Sequence, residues 1–145
     1  MPRQETGDRR QALAILRAAY DQMITHCLEK WPHEEACGYL AATADGTVSK
    51  VYPMTNVEHS SIGYSMDSTE QLRVEKEMRA NHQRWVGIYH SHTATEARPS
   101  SVDVRHAISP DVSYVIVSLQ DGDRPDVKSY RIDGTAIRLE PYVID

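Results

Sequence analysis

His90, His92 and Asp103 fall within fourteen residues, in the run Tyr89-His90-Ser91-His92-Thr93-Ala94-Thr95-Glu96-Ala97-Arg98-Pro99-Ser100-Ser101-Val102-Asp103. A β-strand alternates its side chains between two faces, so two histidines spaced by one residue leave the same face and can meet one ion without rearrangement. Neutral imidazoles suit zinc. A carboxylate from Asp103, returned by the intervening loop, would complete three protein ligands and leave a fourth position for water, the arrangement of a catalytic rather than a structural zinc site. Upstream, Glu34-Glu35-Ala36-Cys37-Gly38-Tyr39-Leu40 sets an acidic pair at the entrance to an apolar run. Metal-assisted hydrolysis needs a base that takes a proton from water and returns it to the leaving amine, and a carboxylate in a partly desolvated site, here Glu35, can do both.

Each feature also has a plainer use. Ser100-x-x-Asp103 after Pro99 reads as a helix start, with Ser100 as N-cap and Asp103 answering the helix dipole. The chain has seven histidines, and His26, His33, His59, His82 and His106 are expected on solvated faces. Cys37, a small thiol in an apolar strand, reads as core packing. Two histidines and a carboxylate also form the facial triad of an iron oxygenase, but that chemistry leaves Glu35 and Ser100 without a role. The conjunction of all five residues favours hydrolysis.

Those residues need a scaffold, and the pattern supplies one. Leu13, Leu16, Tyr20, Met23, Ile24, Cys27, Leu28 and Trp31 recur at helical spacing until Pro32, predicting a long first helix from about Gln11. Ala36 to Thr43, the turn dipeptide Asp45-Gly46 and Val48 to Tyr52 predict a hairpin. A polar loop from Asn56 to Gly63 precedes a second, mostly exposed helix from Asp67 to His82. Trp85 to Tyr89 reads as a buried central strand that delivers the histidines at its end. A short helix over Ser100 to Ile108, a buried strand at Tyr114 to Val117 and a final pair of strands turning at Asp133-Gly134 complete the chain. Helices and strands interspersed around one sheet place the fold in the α/β or α+β class. Residues 1–10 are polar and aperiodic and are read as a lead-in to one domain over 11–145.

The sequence has 145 residues, 40% hydrophobic and 26% charged, which suits one globular core. A net charge of −5 argues against a nucleic-acid partner. No apolar run is long enough to cross a bilayer, and MPRQETGDRR lacks a signal-peptide core, so a cytoplasmic location without membrane contact is expected. The two cysteines, Cys27 and Cys37, are too few for a disulfide framework and are expected to be reduced.

Glu35, then His90-x-His92, seven residues, Ser100, two residues and Asp103 resemble the signature of the JAMM, or MPN-plus, zinc metalloprotease family without gap or substitution. The order of elements resembles that family from about Gln11 to Tyr142. The resemblance implies a JAMM/MPN-like, cytidine-deaminase-like single domain whose mixed, mainly antiparallel sheet is flanked by helices. It implies one zinc ion held by His90, His92 and Asp103, with Glu35 as the base and Ser100 as donor to the oxyanion. Glu35-Ala36-Cys37-Gly38, Pro53-Met54-Thr55-Asn56, Tyr89-His90-Ser91-His92-Thr93-Ala94-Thr95-Glu96-Ala97 and Ser129-Tyr130-Arg131-Ile132 look like the compact Mec-type subgroup. That subgroup cleaves beyond the Gly-Gly tail of a small ubiquitin-like sulfur-carrier protein, releasing cysteine for biosynthesis. Trimming of a longer C-terminal extension for thiocarboxylate formation, and a non-catalytic scaffold that binds a ubiquitin-like protein, are the alternatives. A homodimer is left open. Such a tail would bind extended, pairing with an exposed strand edge near the zinc. Arg98 and Thr93 are candidates for substrate contact and loop orientation.

Overall fold

The structure, a computed structural model, describes residues 12–145; the expected lead-in at 1–10 lies outside them. Its elements are β1 (Leu13–Ile15), α1 (Arg17–Lys30), β2 (Cys37–Ala42), β3 (Val48–Met54), α2 (Ser68–Ala80) and β4 (Arg84–His92). They continue as α3 (Ser101–Arg105), β5 (Ser113–Ser118), β6 (Asp126–Asp133), β7 (Ala136–Glu140) and β8 (Tyr142–Ile144). The strands form one eight-stranded sheet in the order β7-β6-β5-β4-β2-β3-β1-β8. It is an α/β sheet flanked by helices, as expected, but evenly mixed rather than mainly antiparallel. β1 with β3, β1 with β8 and β4 with β5 run parallel, against four antiparallel pairings.

Local chemistry explains most boundaries. The β2–β3 hairpin turns where Gly46 takes φ +87°, and Asp45 Oδ1 accepts hydrogen bonds from Thr43 Oγ1 at 2.7 Å and Thr47 N at 3.0 Å. Asp67 caps α2 by accepting from Glu70 N. The first helix begins later than its periodicity predicts, because Leu13–Ile15 is a strand held between two partners distant in sequence. Leu13 lies opposite Tyr142 and Ile15 opposite Val48. The closing pair of strands is followed by a third. β6 and β7 turn at Gly134, and after Pro141 alone the chain enters β8 at the other edge of the sheet. One residue between the two edge strands requires the sheet to curl until its edges approach.

The central strands β2 and β5 are buried along their whole length, and β4 from Gly87 onward. Their side chains divide between two cores. Leu40, Tyr89, Val115 and Val117 pack with Met23 and Cys27 of α1. Tyr39, Ile88, Tyr114 and Ile116 pack on the opposite face with Val74 and Met78 of α2. His90 and His92 share the parity of Ile88 and so stand on the α2 side.

Candidate metal centre

β4 carries His90 and His92 past the last apolar residue of its α2-facing row, and α3 returns Asp103 to meet them. His90 Nε2 and His92 Nε2 lie 3.2 Å apart, and Asp103 Oδ2 lies 3.2 Å from the first and 3.1 Å from the second. The three donor atoms form a compact triangle from buried or half-buried residues. They fit a metal ion on geometric grounds, since ligand atoms about 2.0 Å from a tetrahedral centre are about 3.3 Å apart. His92 Nδ1–H donates to the Glu96 carbonyl at 2.8 Å, which fixes the ring orientation and directs Nε2 at the cluster. The ring of Tyr64 lies 4.8 Å from that of His90 and limits its rotation.

Asp103 is placed by the start of α3. Ser100 N donates to Asp103 Oδ2 at 2.9 Å, and Asp103 N donates to Ser100 Oγ at 3.0 Å, a reciprocal capping box. The cap uses a lone pair of the Ser100 hydroxyl and leaves its proton available, so capping and donation to a substrate oxygen are compatible. Burial pulls the Asp103 carboxyl upward, but hydrogen bonds from His90 and His92 outweigh it and hold the group well below the usual carboxylate range. Burial lowers His92, and the Asp103 carboxylate and Glu96 carbonyl more than compensate, so its net shift is upward.

Glu35 enters the site through backbone register. Cys37 pairs with His90, and Ser91 N donates to the Ala36 carbonyl while Ala36 N donates to Ser91 Oγ at 2.8 Å. One further step sets Glu35 across from His92. Glu35 is 6% exposed. Burial, opposed by His92 and reinforced by Asp103 and Glu58, pushes its carboxyl up to about 8.

Sequence reasoning did not single out the groups that shape the rim. Buried Asn56 donates through Nδ2 to the carbonyls of Glu35 and Gly63, each at 3.0 Å, and accepts at Oδ1 from Glu58 N and Ser65 N. One side chain thereby fixes both the segment carrying Glu35 and the loop carrying Tyr64. Tyr64, Met66, Val102 and Asp103 line a cavity of about 150 Å³ beside the cluster. An asparagine opening a polar loop is the available signal; its partners are set by tertiary structure.

Several expectations require correction. His26 is buried, its Nδ1 2.7 Å from Tyr89 OH, rather than solvated. Among the described residues β4 itself offers no free edge for a substrate tail, being paired by β2 on one side and β5 on the other. Thr93 does tie loops together, donating to Ser61 O at 2.9 Å and accepting from Trp31 Nε1 at 3.0 Å. Arg98 is exposed. Cys37 is buried and its thiol is pushed up to about 12 by burial, as befits core packing.

The family model of prokaryotic homologs of the JAB domain matches residues 16–133. The chain is 43% identical over 130 residues to a CysO-cysteine peptidase of Mycobacterium tuberculosis, covering 89% of this chain and 88% of the relative. It is 31% identical over 111 residues to a desampylase of Haloferax volcanii, covering 73% and 80%. A solution structure of a Desulfitobacterium hafniense protein superposes with TM-score 0.83 at 37% identity, over 92% of each chain. A JAB1/MPN domain protein from Archaeoglobus fulgidus, at TM-score 0.57 and 16% identity over 91% of this chain and 98% of that one, shares the fold.

Proposed function

This chain belongs to the prokaryotic JAB-domain family of peptidases, and from that premise we propose that it is a zinc-dependent peptidase of a ubiquitin-like sulfur carrier, releasing cysteine from beyond the carrier's Gly-Gly tail. The observation that carries the reaction class is the convergence of His90 Nε2, His92 Nε2 and Asp103 Oδ2 beside a buried Glu35. The substrate rests on the likeness to the CysO-cysteine peptidase. Residues 11–145 act as one catalytic domain.

His90, His92 and Asp103 would hold the ion. Zinc in a three-ligand site supplies Lewis acidity towards a water molecule and an amide carbonyl. Glu35, set across from His92, accepts a proton at its carboxylate as water attacks and delivers it to the leaving amine. Ser100 donates its free hydroxyl proton to the carbonyl oxygen as negative charge develops there. The Glu96 carbonyl and the Tyr64 ring keep the two imidazoles aimed. Glycines at the end of a tail permit close backbone approach to a site walled by β2, α3 and the Asn56–Ser65 loop.

Intact-mass spectrometry tests the reading. A Gly-Gly-ending sulfur carrier bearing one C-terminal cysteine is incubated with the protein, with and without a zinc chelator. The expected result is loss of one cysteine residue, blocked by the chelator and restored by zinc. Unchanged mass with one zinc per chain measured by elemental analysis would overturn cysteine release and leave a longer extension as the next substrate.

A further inference from the structure

On the opposite side of the sheet from the metal cluster, the face that carries α1 has a polar row where the rest is largely apolar. Gly87 of β4 lies opposite Ser113 of β5, and Arg131 of β6 lies opposite Arg138 of β7. The β5–β6 register pairs Tyr114 with Tyr130, so one step further sets Ser113 against Arg131. The row thus reads Gly87, Ser113, Arg131, Arg138 across four adjacent strands. Ser113, Arg131 and Arg138, joined by Arg84 from the start of β4, line a cavity of about 620 Å³. Gly87, opposite Ser113, is three residues from His90 along β4, about 10 Å at 3.3 Å per residue, and belongs to the other face of the sheet, so this cavity and the metal cluster are separate sites.

Two independent features of this row call for a ligand. Ser113 is fully buried, yet its Oγ has no hydrogen-bond partner among the described residues, which costs free energy unless something binds it. Like charges directly opposite on neighbouring strands repel, and Arg131 and Arg138 stand in that relation. Arg131 is satisfied by Glu140, to which its Nε donates at 2.8 Å. Glu140 is further occupied by Ser129 Oγ at 2.7 Å. Asp45, also on the wall, is engaged by Thr43 and Thr47. Arg138 and Arg84 have neither an ion pair nor a side-chain hydrogen bond among the described residues. A Cβ at Gly87 would stand 2.7 Å from the Ser113 carbonyl oxygen and 2.9 Å from Leu40 Cδ1, so only glycine lets β5 lie this close at the floor of the cavity.

We propose that Ser113, Arg84 and Arg138 form a binding site for a small oxyanion, a phosphate or carboxylate group, on the face of the sheet opposite the metal cluster. Two guanidinium groups supply charge-assisted donors in fixed forks, and the Ser113 hydroxyl supplies a buried donor at the floor. The carboxylate of Asp111 at the wall works against the ligand and sets a moderate affinity.

Isothermal titration of the whole chain with sodium phosphate, and separately with sodium acetate, each against sodium chloride at equal ionic strength, tests the proposal. Saturable binding of at least one is expected, weakened about tenfold in Arg138→Ala and Ser113→Ala, as befits loss of one charge-assisted or buried bond. Asp111→Asn should tighten it, and Arg124→Ala, exposed and absent from the cavity wall, should leave it unchanged. Phosphate binding alone would assign a phosphate ligand, and acetate binding alone a carboxylate. No saturable heat from either anion, or equal affinity in Arg138→Ala, would overturn the site. Arg138 is exposed, so its variant keeps the test decisive even if Ser113→Ala fails to fold.

Discussion

β4 presents two faces built from the same nine residues, and they are finished differently. Towards α1, Tyr89 and Ser91 are closed: Tyr89 OH meets His26 Nδ1, and Ser91 Oγ accepts from Ala36 N. Towards α2, His90 and His92 are equally buried, but their Nε2 atoms converge on each other and on Asp103 Oδ2. Polar atoms on the first face have partners that complete the fold. On the second, two imidazole nitrogens and a carboxylate oxygen meet in a triangle that a cation would complete. A strand locked on one face by hydrogen bonds is a stiff mount for ligands on the other.

The sharpest way to break that contrast is to remove a ligand. His92→Ala should abolish metal binding and, with it, peptidase turnover, while leaving the fold intact. Elemental analysis of the purified variant, circular dichroism and turnover of the cysteine-bearing carrier check all three. Zinc retained at one per chain would show that the triangle is not the binding site.

Glu35→Gln separates chemistry from binding on the metal face. Loss of a general base lowers turnover by about 10²–10⁴-fold, with zinc content unchanged. The same variant isolates a pH effect in the metal-free protein. Glu35 is held near 8 against an ordinary value of 4.5, so between those limits the folded state keeps a proton that the unfolded chain has released. Raising pH therefore favours unfolding, by on the order of 1 kcal/mol per pH unit within that window. Urea melts from about pH 5 to about pH 8 should show a steeper decline for the natural protein than for Glu35→Gln; parallel slopes would place Glu35 in a solvated setting.

On the α1 face the largest effect comes from packing. A Cβ at Gly38 would stand 2.4 Å from the Tyr89 ring, so Gly38→Ala should destabilise by about 1–3 kcal/mol. Adding Tyr89→Leu removes the ring that the new methyl group would strike, and the double variant should recover part of the loss in denaturant midpoint. A Gly38→Ala protein as stable as the natural one would mean that this face yields more easily than its packing implies.

The unequal legibility of the two faces follows from the same contrast. His90 and His92 are readable because a period of two needs no partner to place them together, and Ser100 and Asp103 because a capping box is local. Glu35 is readable as chemistry, but its burial depends on Asn56 and on pairing with β4. His26 departs from its expected solvated place because nothing near it in the chain announces Tyr89, 63 residues away. Leu13–Ile15 fits a helical stripe and becomes a strand only because Val48 and Tyr142 flank it, a tertiary override of local propensity. Asn56 and Tyr64, which brace the rim and His90, act through contacts that no spacing encodes.

The finest distinction lies in Tyr89 itself. Burial lowers His26 and raises Tyr89, so both are neutral near pH 7 and the phenol O–H donates to Nδ1 across 2.7 Å. Tyr89→Phe removes that donor, keeps the ring against Gly38, and leaves a buried imidazole nitrogen without its partner. The cost should be about 1–2 kcal/mol in denaturant stability, the smallest of these effects. If the α1 face serves only as a mount, KM and zinc content stay unchanged and kcat falls little, because the ring still fixes the strand. A fall in zinc affinity would instead show that the hydrogen bond behind β4 sets the aim of the histidines in front of it.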